Sequence, residues 1–216
     1  MSVIDSLLDL VYPPRCMLCR KVLKDGEYDF CCKCETGLVR FRNSEVRRDI
    51  KYLRLCVAPF NYKDELRASF HRYKFGSVTA YGRIYADFIA KSIDENQISC
   101  DIISWVPLDN KGLRKRGYDQ SEIIARALAD KLNIPCEKLL VKVRRTKRQS
   151  SLNNREARRK NVSGAYRCVV KEELLGKRVL IVDDIVTTGS TLSECALQLS
   201  RNGCNEIYAA AAATKI

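Results

Sequence analysis

Nowhere does the 216-residue chain hold an apolar run near the roughly 20 residues that cross a bilayer, so no membrane insertion is expected. The opening stretch MSVIDSLLDLVYPP lacks a basic segment and carries Asp5 and Asp9, so it does not read as a signal peptide. Its Ile4, Leu7, Leu8 and Val11 recur at helical spacing and predict a short amphipathic helix that docks on something. A cytoplasmic protein is the expectation. Internal repeats and low-complexity tracts are missing as well, which leaves out a solenoid. Histidine is almost absent. The lone His71 shares a predicted helix with Phe70 and Tyr73 and reads as a packing residue rather than a general base. Acids are outnumbered, 26 against 39 Lys and Arg, for a net charge of +13. That excess fits an anionic ligand, a nucleic acid, or simply a soluble basic surface, and charge alone does not choose.

Cysteine, by contrast, is abundant, with eleven residues. Without an export signal, a disulfide framework is not expected; clustered cysteines then read as metal ligands and scattered ones as core fillers. Cys56, Cys100, Cys136, Cys168, Cys195 and Cys204 are spread singly. The others form CMLC and CCKC, that is Cys16-x-x-Cys19 and Cys31-x-x-Cys34, with eleven residues between the pairs. Four thiolates in two close pairs suit a tetrahedral structural zinc with no position left for water. Cys32 competes with Cys31 for the third ligand, and two redox-active CxxC pairs are the rival reading. Lys21, Lys24 and Lys33 flank the cluster and ease its charge.

Past about residue 55 the pattern changes. CVAPFNY, CDIISWVP, RVLIVDD and EIYAAAAAT read as strands. DELRASFHRYK, YGRIYADFIAKSI, DQSEIIARALADKL and STLSECALQLSRNG read as helices. Asp119 stands at an N-cap with Glu122 at the capping-box position, and Gly203 is the expected stop of the last helix. Apolar strands alternating with helices predict an α/β domain with a mostly parallel sheet. The division expected is 1–55 for the N-terminal helix and cysteine module and 56–216 for the α/β domain.

The stretch VLIVDDIVTTGSTL, residues 179–192, concentrates the chemistry. In parallel sheets ligands bind at the carboxyl ends of strands, where Asp183 and Asp184 fall. The following helix starts near Ser190, and its free N–H groups favour phosphate. Thr187, Thr188, Ser190 and Thr191 add hydroxyls, and Gly189 lets the backbone come close. No Lys follows the glycine, so this is not a Walker A loop. Phosphate at one end and sugar hydroxyls at the other describe a ribose 5-phosphate, with the carboxylates also able to orient a hydrated Mg²⁺. The plainer alternative is a tight strand-to-helix turn with a capping threonine.

Two basic segments precede it: KGLRKRGYDQ, residues 111–120, and KVRRTKRQSSLNNREARRKNVSGAY, residues 142–166. Three readings fit them. They are a solvated face, a lid closing over pyrophosphate, or a groove tracking the phosphates of single-stranded DNA. Few apolar residues interrupt SLNNREARRKNV, so an exposed segment is expected there.

VLIVDDIVTTGSTL resembles the phosphoribosyl pyrophosphate signature of type I phosphoribosyltransferases. With GLRKRGYDQSEIIARALA, the 142–166 segment and HRYKFG at 71–76, the chain resembles the ComF family of competence-associated phosphoribosyltransferase-like proteins. The resemblance implies a type I phosphoribosyltransferase fold behind an N-terminal zinc ribbon. It implies that Asp183 and Asp184 take the ribose hydroxyls, with Mg²⁺ accompanying phosphoribosyl pyrophosphate, and that Thr187, Thr188, Gly189, Ser190 and Thr191 take the 5-phosphate. Arg114, Arg116 and Gly117 would form a pyrophosphate loop. Gln149, Arg155, Arg158 and Arg159 would lie on a flexible loop. Competence proteins become candidate partners, and the acceptor is not implied. Members often carry Asn where this chain has Asp119; an acid there would repel pyrophosphate unless its carboxylate is spent on capping.

Overall fold

In the computed structural model, residues 13–38, 42, 46–76, 78–146, 155–170 and 174–215 are described. The helix expected from Ile4, Leu7, Leu8 and Val11 lies outside them, as do Gln149 and its neighbours at 147–154. The elements run α1 (Cys32–Gly37), β1 (Cys56–Val57), β2 (Phe60–Asn61), α2 (Asp64–Phe75), α3 (Tyr81–Glu95) and β3 (Ile102–Trp105). They continue as α4 (Asn110–Arg116), α5 (Gln120–Leu132), β4 (Leu140–Lys142), α6 (Arg155–Val162), β5 (Tyr166–Cys168), β6 (Arg178–Val186), α7 (Ser190–Ser200) and β7 (Glu206–Thr214).

The main sheet has the order β1/β2, β7, β6, β3, and every pairing is parallel. The strand expected from CVAPFNY is split by Pro59, which has no N–H to give a ladder. Both halves nonetheless keep one register on β7, with Cys56 opposite Ala209 and Phe60 opposite Ala213. At the far edge Asp101 accepts from the backbone and guanidinium of Arg178, which ties the starts of β3 and β6. That pairing holds the Asp101 carboxyl down at about 2.

The sheet is covered on both faces, as a parallel sheet must be. Strand alternation sends Leu180 and Val182 to one core with Leu66, Phe70, Tyr73, Ile89, Ile124 and Leu128 of α2, α3 and α5. It sends Val179 and Ile181 to the other, with Leu192, Cys195, Ala196 and Leu199 of α7. α3 and α5 meet closely because Gly82 carries no side chain; a Cβ there would stand 2.5 Å from Ile123 Cγ2. The cysteine module is part of the first core. Cys16, Met17, Leu18, Leu23, Cys31 and Leu38 are all buried in it. Phe30 and Phe88 meet edge to face across the boundary at 6.1 Å.

Several elements differ from expectation. KGLRKRG is a helix, α4, because Asp109 caps it by accepting from Gly112 N at 2.7 Å and Gly117 ends it at φ +79°. Residues 155–162 are helical too; Arg144 donates to the carbonyls of Asn161 and Ser163 at the helix end. β4 and β5 pair antiparallel as a small ribbon that brings the two ends of the basic stretch together. α7 ends at Ser200, short of Gly203. Asp119 caps α5 as expected, accepting from Ser121 N and Glu122 N, but the capping box is half made. The Glu122 side chain accepts from Arg126 instead.

Asp119 also accepts from Leu108 N at 2.8 Å, so one carboxylate satisfies three backbone donors. Asp119→Ala is expected to cost about 1–3 kcal/mol in urea unfolding, while Asp119→Asn, which keeps an acceptor, costs less.

Candidate functional site

β6 delivers Asp183 and Asp184 to the carboxyl edge of the sheet, and a short stretch, residues 185–188, leads from them to Gly189 and the start of α7. Asp183 Oδ1 accepts from Asp184 N at 2.8 Å and from Ser121 Oγ at 3.2 Å. Ser121 is brought there by the first turn of α5, which Asp119 caps. Asp184 Oδ2 lies 2.7 Å from Lys74 Nζ, at the end of α2. Burial, and then the adjacent Asp184 charge, push the Asp183 carboxyl up to about 7.

The loop behind the acids starts α7 at a residue with no side chain to cap it, and Thr188 Oγ1 accepts from Ser190 N only at 3.5 Å. Its N-cap, Gly189, sits at φ +75° and is pressed against Ile50; a Cβ would stand 2.6 Å from Ile50 Cγ1. Glycine is therefore required twice over, by backbone conformation and by space. Thr188 Oγ1 and Ser190 Oγ are 2.9 Å apart, while Thr187 and Thr191 are half-buried beside them. Arg47 Nη1 donates to the Thr187 carbonyl, and the same guanidinium holds Asp49 at 2.9 Å. The segment from Val46 to Leu55 is thus fixed to the loop that precedes α7. It also bridges the sheet edge, with Arg47 opposite Cys56.

The structure brings Asp183, Asp184, Thr187, Thr188, Gly189, Ser190 and Thr191 together with Lys74, Ser121 and Asp119. It places Arg114 exposed on the last turn of α4. Arg116 bonds Gln120 and lies 5.2 Å over the Phe75 ring. Gly117 is the left-handed stop of that helix, and Arg155, Arg158 and Arg159 lie on α6. Gln149 is outside the described residues. Lys74, Arg47 and Ile50 are not assignable from sequence; for Lys74 the only signal is its place in HRYKFG. On the ribbon β4–β5, Lys142 is largely buried 3.9 Å from Asp109, and burial lowers its ammonium pKa.

The second centre is the cysteine cluster. The sulfurs of Cys16, Cys19, Cys31 and Cys34 all lie within 4.8 Å of one another. Cys19 Sγ and Cys31 Sγ are 3.7 Å apart. Tetrahedral zinc with sulfur ligands at about 2.3 Å requires sulfur pairs about 3.8 Å apart, so the set fits zinc. All four sulfurs converge on one point instead of forming two separate CxxC pairs, which favours a single four-sulfur site over two redox pairs. Cys32 is exposed outside the cluster and donates its N–H to Glu27 Oε1, so Cys31 and not Cys32 completes the four-sulfur set. Arg20 takes φ 69° just after Cys19, and its N–H closes the turn on the Cys16 carbonyl at 3.0 Å.

Comparison with known proteins matches both centres. A phosphoribosyl transferase domain model covers residues 118–216 and a double zinc ribbon model covers residues 7–46. Competence protein F of Haemophilus influenzae is 29% identical over 89% of this chain and 93% of that protein. DNA utilization protein YhgH of Escherichia coli O157:H7 is 29% identical over 90% of this chain and 94% of its own. This chain is a homologue of the ComF-type competence proteins. It joins a phosphoribosyl transferase domain of parallel-sheet type to an N-terminal zinc ribbon. Only five cysteines and no histidine fall in residues 7–46, enough for one four-cysteine site. Among solved structures, the glutamine phosphoribosylpyrophosphate amidotransferase of B. subtilis complexed with ADP and GMP aligns with a TM-score of 0.45 and 22% identity. That match covers 65% of this chain and 30% of the other. No helix among the described residues is long and apolar enough to cross a membrane.

The raised Asp183 carboxyl has a consequence for stability. Below the unfolded value near 4 both states hold the proton, and above about 7 neither does. Between them only the folded state holds it, so its contribution to stability is lost as pH rises from about 4 to about 7. Asp183→Asn should flatten that decline in urea midpoints measured at about pH 5 and about pH 7.5. An unchanged slope would mean that Asp183 does not titrate in this window.

Proposed function

We propose that the protein binds phosphoribosyl pyrophosphate, or a related ribose phosphate, together with Mg²⁺ at the carboxyl end of β6, and acts in the cytoplasm in DNA uptake. The observation that carries this reading is the acid pair standing beside a helix start whose N-cap is a glycine, flanked by the hydroxyls of Thr188 and Ser190. Asp183 and Asp184 would accept from the two ribose hydroxyls. The backbone and hydroxyls from Thr187 to Thr191 would hold the 5-phosphate. Mg²⁺ fits this donor set: two hard carboxylates, one already attracting Lys74 and the other raised by burial beside a like charge. They would hold its hydration shell, and the ion would neutralise the pyrophosphate. In a transfer reaction pyrophosphate leaves the anomeric carbon, and the chain's own cations must stabilise it. Arg114 and Arg116 on α4, and Arg155, Arg158 and Arg159 on α6 with Gln149 before it, would serve that need. The relatives' names, competence protein and DNA utilization protein, support the link to transformation.

Thermal unfolding of the zinc-loaded protein tests the site. Phosphoribosyl pyrophosphate with Mg²⁺ at about a hundred times Kd adds roughly 2.7 kcal/mol, a Tm rise of about 5–10 °C at this size. Asp184→Asn should lose the rise. No rise in the wild type at saturating ligand would overturn the assignment.

A second reading, single-stranded DNA on the basic face, is favoured by the exposed Arg144, Arg145, Arg159 and Lys160 gathered near the β4–β5 ribbon and α6. Neutralising Arg145, Arg159 and Lys160 should then weaken oligonucleotide binding. The slope of log affinity against log salt should flatten by about 0.7 for each phosphate that is no longer neutralised. Asp184→Asn should leave that binding unchanged.

A further inference from the structure

Three consecutive residues at the end of α2 are each anchored to a different part of the molecule. Arg72 donates from Nη2 to the carbonyls of Met17 and Leu18, the two residues between zinc ligands Cys16 and Cys19. The Tyr73 side chain is fully buried; its hydroxyl donates to the Gln120 carbonyl at 2.7 Å, and its own carbonyl accepts from Tyr118. Lys74 reaches Asp184 at 2.7 Å. Successive helical residues turn by about 100°, so Arg72 and Lys74 point to nearly opposite sides of the helix. One side grips the zinc knuckle and the other grips the acid pair, with Tyr73 as the fixed point between.

The grip on the knuckle depends on its shape. The Met17 and Leu18 carbonyls are aimed by a tight turn, with Met17 N bonded to Asp29 O and Arg20 N to Cys16 O. Metal ligation of Cys16 and Cys19 holds that turn closed. If it opens, the half-buried Arg72 guanidinium loses two acceptors. A partly buried cation without acceptors is unfavourable, so the end of α2 must shift to rehydrate it. Lys74 shifts with it.

We propose that Arg72 is a positioning residue through which the zinc-bound knuckle holds Lys74 on Asp184, so that loss of zinc loosens the acid-pair site. The consequence for ligand rests on the ribose-phosphate reading above; the coupling between the two centres does not.

The test is amide hydrogen exchange by mass spectrometry on four samples: zinc-loaded wild type, chelated wild type, and zinc-loaded Arg72→Met and Arg72→Lys. Zinc content is measured in each. Chelation and Arg72→Met should both speed exchange in residues 70–76 and 183–190, by roughly tenfold, while α5 and β7 stay protected. Arg72→Lys, which can still donate to both carbonyls, should restore protection. Arg72→Met that retains zinc and exchanges like wild type at 183–190 would overturn the proposal. If chelation opens the whole sheet, the zinc-retaining Arg72→Met sample decides alone. Titration with phosphoribosyl pyrophosphate and Mg²⁺ should show about tenfold weaker binding for Arg72→Met. Absence of binding to the wild type would sink the ligand assignment and leave the exchange result standing.

Discussion

Two adjacent carboxylates at the end of a buried strand are costly to bury and repel each other, and the groups around them answer both costs. Asp184 is met by the ammonium of Lys74. Asp183 has a hydroxyl and a backbone N–H as its bonded partners, and burial, then the Asp184 charge, raise its carboxyl pKa. The helix start behind them brings the positive end of its dipole. Each compensating group comes from a different segment: α2 supplies the lysine, α5 the serine and β6–α7 the dipole. The fold is needed to bring them to one strand end.

Contiguity decides how much of this is legible in the sequence. VLIVDDIVTTGSTL can be read because strand, acids, loop and helix follow one another, and because an apolar run ending in acids has few alternatives in a parallel sheet. The cysteine spacing can be read for a similar reason, since each ligand pair lies within one short turn. Asp119 as a cap needs only its neighbours. Lys74, Arg47 and Ile50 cannot be read, because each acts on residues far along the chain. Nothing local marks Ile50 as the residue beneath Gly189.

The basic middle departs from its sequence pattern for a different reason. Charge-rich sequence reads as loop when local apolar periodicity is poor. Here α4 and α6 are held by long-range or end effects: Asp109 at one start, Arg144 at the other's end, Val162 as a single buried foothold. The β4–β5 ribbon rests on Leu140, Tyr166 and Cys168, too few to announce a strand beside so many arginines. The spacing names Cys31 as the third ligand but leaves Cys32 as a rival. The choice between them follows from the direction of two neighbouring side chains, which α1 sets by beginning at Cys32.

The zinc ribbon's place in the main core bears on how such a chain could change over generations. Met17, Leu18 and Leu23 are interior residues of the α/β domain's own packing, and Phe30 seats on Phe88. A lineage could not discard the zinc ribbon as a detachable bead, since the surface it left behind around Phe88 would be wet and sticky. Loss of the metal cluster would require a simultaneous recoating of that face with polar side chains. The two parts are in this sense inherited as one object.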